Sequence, residues 1–191
     1  LALAAPTEWL YSSALPNSHD VHGELSKVIF VHVRQAVSTR ERQIKEMGTM
    51  KIAIGADHGG FELKQTLAAK LRHLGHEVID LGTDSAASVD YPDFADQVCG
   101  QVLDNKAQCG ILVCGTGIGM SMAANRYRGI RAALCDNEFS ARMSREHNNA
   151  NVLCLGDRVL GKGLAESIVE VWLSASFTGG RHQRRVDKFS G

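Results

Sequence analysis

From residue 50 onward the chain alternates between short apolar runs rich in Val, Ile and Leu and longer segments whose apolar residues recur every three and four positions. The runs Lys51–Ala56, Glu77–Leu81, Gly110–Cys114, Ile130–Cys135 and Asn151–Leu155 predict five strands. Most are apolar on both faces, as buried parallel strands require. Helices are predicted over Phe61–Leu74, Phe94–Leu103, Gly119–Arg126, Glu138–Glu146 and Leu164–Ser174. In the first of these, Phe61, Leu63, Leu67, Leu71 and Leu74 make one stripe and Gly75 ends it. Strands and helices alternating at these lengths imply an α/β fold, a three-layer α/β/α sandwich, Rossmann-like, around a five-stranded parallel sheet. In such folds ligands bind beyond the carboxyl ends of the strands, so the loops after each strand are the places to look for chemistry.

Composition narrows the field. With 44% hydrophobic residues in 191, the chain can bury a core without disulfides, and wholesale disorder is excluded. Lys and Arg number 21, as do Asp and Glu, which argues against a nucleic-acid or anionic-membrane coat. No stretch approaches the ~18 apolar residues of a spanning helix. Cys99, Cys109, Cys114, Cys135 and Cys154 form an odd set with no CxxC pair, the usage of a reduced, cytoplasmic protein. Residues 1–49 have a different texture: apart from Lys27–Val33 no period lasts, and five acidic and five basic residues fit neither a mitochondrial presequence nor a secretory signal. They are expected to be an N-terminal extension, free to be mobile, ahead of a functional domain over 50–191.

Three loops stand out. Gly55-Ala56-Asp57-His58-Gly59-Gly60 sets an acid and an imidazole at the first strand's tip, with glycines that admit close backbone approach; a tight turn with Asp57 as a cap is the plainer reading. Cys114-Gly115-Thr116-Gly117-Ile118-Gly119-Met120 places a cysteine and a glycine run where a helix begins. Such a start favours an anion and lowers a neighbouring thiol's pKa. Met120 stands where a dinucleotide fingerprint counted from Gly115 needs its last glycine, and also where a Cys-x5-Arg phosphatase loop needs its arginine; no Walker lysine is present. The remaining rival is a buried structural cysteine, the reading given to the other four. Glu146-His147-Asn148-Asn149-Ala150-Asn151 is a polar cluster leading into the fifth strand, which itself runs out into Gly156-Asp157-Arg158.

Near the end, Gly179-Gly180-Arg181-His182-Gln183-Arg184-Arg185 is either a solvated tail or a phosphate clamp. Arg181 and Arg185 lie one turn apart if the segment is helical, and the arginine fork suits phosphate. Tyr91-Pro92-Asp93 opens a helix, and Tyr91 could wall a sugar pocket. His73 and His76 have no metal-ligand spacing and are counted as surface, so no metal is expected. Ser121 and Ser144 lack the GxSxG elbow.

Taken in order, DHGG, DYPD, CGTGIG, REHNNAN and GGRHQRRV resemble the B type of ribose-5-phosphate isomerase and its wider sugar-phosphate isomerase family, which includes allose and galactose 6-phosphate isomerases. The resemblance spans Met50 to about Val186. It implies aldose–ketose isomerisation of ribose 5-phosphate and ribulose 5-phosphate, as in the pentose phosphate pathway, without metal or cofactor. It also implies homodimers or dimers of dimers that share active sites. Cys114 would be the base, His147 the ring opener, and Asp57 a ligand of sugar hydroxyls. Gly115, Thr116, Gly117 and Gly119 would line the enediolate pocket, Asn148 would hold a reacting oxygen and Tyr91 would lie against the sugar. His58, Arg158, Arg181 and Arg185 would hold phosphate, with His147, Asn148 and Arg158 coming from the neighbouring subunit. Relatives that use a glutamate base carry it where this chain has Ile118, so the cysteine branch applies. The competing expectations are a hexose 6-phosphate substrate and a phosphosugar-binding module without catalysis.

Overall fold

The computed structural model describes residues 48–189. The remaining residues, among them the apolar run 27–33, lie outside the described part. Five strands, β1 (Lys51–Ala56), β2 (Glu77–Asp80), β3 (Cys109–Cys114), β4 (Ala132–Leu134) and β5 (Val152–Gly156), form one sheet in the order β2-β1-β3-β5-β4, with every neighbouring pair parallel. Six helices are described: α1 (Phe61–His73), α2 (Tyr91–Leu103), α3 (Ile118–Ala124), α4 (Glu138–Asn148), α5 (Lys162–Ser174) and α6 (Arg181–Val186).

The two-residue period of the strands separates two cores. Ile52, Ile54, Ile111, Val113, Leu153 and Leu155 face α1, α4 and α5, where Leu67, Leu71, Ala141, Ile168 and Trp172 meet them. Ala53, Leu112, Cys114, Val152 and Cys154 face α2 and α3, with Val98, Cys99, Met120 and Ala124 opposite. Each fully buried Leu or Ile contributes about 1.5–3 kcal/mol, so the sheet is held from both sides without a disulfide. Lys64 of α1 reaches the end of β2, pairing with Asp80 at 2.8 Å and donating to the Thr83 carbonyl at 2.9 Å.

Several boundaries differ from expectation. α2 begins at Tyr91, three residues early, because Pro92 sits in its first turn, where the missing N–H costs nothing. β4 is only Ala132–Leu134. It is an edge strand paired with β5 alone, so the apolar Ile130 and Cys135 belong to the core without extending the ladder. α4 runs on to Asn148 and therefore carries His147; Asn149, at φ 51°, then stops it in the left-handed region. His76, expected at the surface, is buried: its Nδ1 accepts the Met50 N–H at 3.3 Å, and burial lowers its pKa. No described helix is long and apolar enough to cross a membrane.

Candidate active site

The chain leaves β1 toward β2 on one side, whereas β3 is followed by elements on the other. The tips of β1 and β3 therefore flank a topological switch point, the place where folds of this kind form a ligand crevice. On the β1 side, Asp57 accepts the Gly59 N–H at 2.9 Å through Oδ1, and its carbonyl accepts the Gly60 N–H at 3.1 Å. The capping turn is thus present. It also fixes the carboxylate at the crevice, so the plainer reading and the functional one describe the same geometry. Nδ1 of the next residue, His58, lies 3.2 Å from both N and O of Val89, which leaves Nε2 for a ligand. A Cβ on Gly59 would lie 3.1 Å from the Gly115 nitrogen, so the two loops touch through glycine.

On the β3 side, Cys114 ends the strand, 5% exposed and on the α2/α3 face. Its Sγ accepts the Gly117 N–H at 3.1 Å. Gly117 has φ 76°, and a Cβ there would come 2.5 Å from Leu134 Cδ1, so the turn that aims this N–H at sulfur requires glycine. Thr116 is exposed, its Oγ1 accepting the Ile118 N–H at 3.4 Å. A Cβ on Gly119 would lie 2.9 Å from Cζ of Tyr91, which sets the phenol against the start of α3.

The loop after β5 closes the crevice. Backbone N–H groups of Asp157 and Arg158 donate to the carbonyls of Cys114 and Gly115 at 2.9 and 3.0 Å. Nε of Arg158 then lies 3.4 Å from where a Gly115 Cβ would be. Within one chain these two ladder-like bonds set Arg158 over Gly115, whereas the resemblance had it come from a neighbouring subunit. Sequence reasoning also left Asp157 without a role. Its Oδ2 accepts the Leu63 N–H of α1 at 3.2 Å, a pairing across the fold with no local sequence signal.

The other expected residues lie elsewhere. α4 starts beyond the tip of β4, capped by Asn137, whose Oδ1 accepts the Ser140 N–H at 2.8 Å, and returns to the start of β5. Eleven helical residues span roughly 16 Å, so His147 and Asn148 lie at the amino edge of the sheet. α6 packs beside them: Thr178 donates to the Glu146 carbonyl from N at 3.0 Å and from Oγ1 at 2.8 Å, and the ring of His182 stacks on that of His147. Arg181 and Arg185 are exposed on this helix, one turn apart as the spacing predicts. One chain therefore gathers Asp57, His58, Tyr91, Cys114, Gly115, Thr116, Gly117, Gly119 and Arg158 at one edge, and His147, Asn148, Arg181 and Arg185 at the other.

The remaining thiols are chemically quiet. Burial pushes Cys99 and Cys109 up to about 12, and it raises Cys135 and Cys154 as well. Beside the Cys114 loop, a cavity of about 330 Å³ is lined by Thr116, Ile118, Leu134, Gly156 and Val159. Of its lining, Ile118 and Val159 are 52 and 59% exposed, and Met122, one turn further along α3 from Ile118, is 68% exposed.

Fold and crevice together define a Rossmann-like α/β enzyme. The chain belongs to the Ribose/Galactose Isomerase family, whose model matches residues 52–189, and it is an isomerase. It is 52% identical over 137 residues to ribose-5-phosphate isomerase B of Escherichia coli, an alignment covering 72% of this chain and 92% of that one. Its identity to ribose-5-P isomerase B of Listeria innocua is 45% over 138 residues, covering 72% and 93%. Among solved structures, ribose-5-phosphate isomerase B of Clostridium thermocellum superposes with a TM-score of 0.73 at 55% identity, covering 74% of this chain and 95% of that one. The type B enzyme of Trypanosoma brucei gives 0.72 at 45%, covering 74% and 97%.

Proposed function

We infer that the protein interconverts ribose 5-phosphate and ribulose 5-phosphate through an enediolate, with Cys114 as the base. The observation that carries this reading is the Cys114 sulfur at the tip of β3, 3.1 Å from the Gly117 nitrogen and in the crevice that Asp57 and Tyr91 border. The thiolate takes the C2 proton of the open-chain aldose. The electron pair moves into the C1–C2 bond and negative charge develops on O1. Proton exchange between O1 and O2, followed by return of the proton from sulfur to C1, gives the ketose. A positioned base of this kind contributes about 10²–10⁴-fold. Donors from Gly115 to Gly119, with Thr116, stabilise the enediolate, and such donors are individually worth about 3 kcal/mol in comparable oxyanion holes. Asp57 binds sugar hydroxyls.

Ring opening needs a group that takes the proton from the C1 hydroxyl and returns one to the ring oxygen. His147 does this from a second copy of the chain, with Asn148 holding a reacting oxygen. The opposite placement of the two residue sets supports this sharing, as does the exposed apolar shelf of Ile118, Met122 and Val159 beside the crevice. The working unit is accordingly a homodimer or a dimer of dimers. His58 and Arg158 of one chain and Arg181 and Arg185 of the other grip the phosphate, anchoring the sugar so that binding energy is spent on orientation. In this reading residues 50–191 are the catalytic domain of a cytoplasmic enzyme, and residues 1–49 are an extension dispensable for turnover.

A second reading, isomerisation of a hexose 6-phosphate, is favoured by the family description, which joins ribose with galactose. A coupled assay on ribose 5-phosphate, allose 6-phosphate and galactose 6-phosphate, with and without residues 1–49, separates these. Ribose 5-phosphate is expected to give the highest kcat/KM. A higher value for either hexose overturns the pentose assignment, and binding without turnover of any of them overturns catalysis.

A further inference from the structure

The parallel contact between His147 and His182 has no role in the chemistry described so far. His147 is in the last turn of α4 and His182 in the first turn of α6, yet their ring centroids lie 4.1 Å apart with planes only 4° from parallel. His182 is buried, although the arginines on both sides of it along α6 are exposed. Nε of Arg181 donates toward Nε2 of His182 at 3.4 Å, so that nitrogen carries a lone pair and the ring is neutral. Burial, His147, Arg181 and Arg185 together lower the pKa of His182. The backbone fixes the plate as well: the His182 N–H donates to Gly179, and Thr178 ties this segment to the Glu146 carbonyl one residue before His147.

A neutral imidazole lying flat on a second one leaves the second ring's edge free and removes its freedom to rotate about χ2, a broad torsion for histidine. Ring opening depends on that edge, because one nitrogen must face both the C1 hydroxyl and the ring oxygen of the sugar. We propose that His182 is a positioning residue for ring opening, holding the His147 imidazole in the plane from which it serves the sugar bound in the neighbouring subunit's crevice. The proposal rests on the reading of His147 given above. It also connects phosphate binding to ring opening, since Arg181 is at once a phosphate ligand and the donor to the plate behind His147.

Kinetics of the full chain in both directions test it, because ribose 5-phosphate enters as a furanose, whereas ribulose 5-phosphate has no free 5-hydroxyl with which to close one. His182→Leu, which keeps an apolar filling without a flat ring, should lower kcat for ribose 5-phosphate about tenfold with little change in KM, and lower the reverse rate less. His182→Phe should restore most of the loss, since the plate and not the nitrogen is what His147 needs. Added to His147→Ala, His182→Leu should cost nothing further, as expected of residues acting through one group. A multiplied loss in the double variant, a Phe variant as poor as Leu, or a loss confined to KM would overturn the proposal while leaving His147 as the ring opener. A His147→Ala enzyme with wild-type forward turnover would instead overturn the ring-opening reading, and the proposal with it.

Discussion

Asp157 caps a helix from far along the chain: its Oδ2 accepts the N–H of Leu63, the third residue of α1 and 94 positions earlier, at 3.2 Å. The same residue's N–H bonds the Cys114 carbonyl at 2.9 Å, so one aspartate ties together the loops after β1, β3 and β5. Replacing it with Ala should cost about 1 kcal/mol, the usual worth of an N-cap, and lower Tm by about 2–4 °C. It should also raise KM, because the loop that carries Arg158 loses its side-chain tie to α1. Thermal unfolding beside steady-state kinetics measures both, and an unchanged KM would mean that Arg158 is placed by its backbone bonds alone.

Cys114→Ala should keep Tm close to that of the parent, because only a small group is removed from a site 5% exposed, and should lower kcat by at least about 10²-fold. Ser at the same position should be nearly as poor. A wild-type rate in either variant would remove the base assignment.

Arg185→Ala should leave kcat within a few-fold and raise KM for ribose 5-phosphate about 10–100-fold, the effect of losing one charge-assisted bond to phosphate. Inhibition by inorganic phosphate should weaken in parallel. If KM stays where it was, the exposed arginines of α6 belong to the solvated surface.

His76 gives the enzyme an acid-sensitive point away from the crevice. Burial holds its folded-state pKa below the unfolded value of 6.5, so the folded protein keeps the ring neutral while the unfolded chain takes up a proton more readily. Its contribution is therefore fully present above pH 6.5 and is lost as pH falls through the lower folded pKa. Urea midpoints measured from pH 7.5 to 5 should fall less steeply for His76→Gln than for the parent; equal slopes would show that other groups govern the acid limb.

The order of elements was legible because apolar runs and helical stripes alternate cleanly, and each of the five strands lies where its run places it. The gathering of the loops after β1 and β3 at one end of the sheet was legible because parallel strands carry their following loops to the same end. What the sequence did not disclose depends on tertiary approach. The Asp157–Leu63 bond joins positions with no shared local pattern. The register between β3 and β5, with Cys114 opposite Gly156, decides that Arg158 lies over Gly115 of the same chain. Nothing in the spacing of His147 and His182 betrays a stack, since it arises from how α6 folds back on α4. β4 was read too long because apolarity marks burial, whereas strand length at a sheet edge is set by the partner's hydrogen bonds.

The placement of Cys114 and His147 at opposite edges of the sheet has a genetic consequence. If each crevice borrows its imidazole from a companion polypeptide, a Cys114→Ala chain and a His147→Ala chain, each impaired alone, complement one another when co-folded. The mixed dimer holds one crevice with both groups intact and one with neither. Random pairing then restores about a quarter of the parental activity, and a dominant-negative phenotype becomes weak, because either lesion silences only one of the two crevices it helps to build.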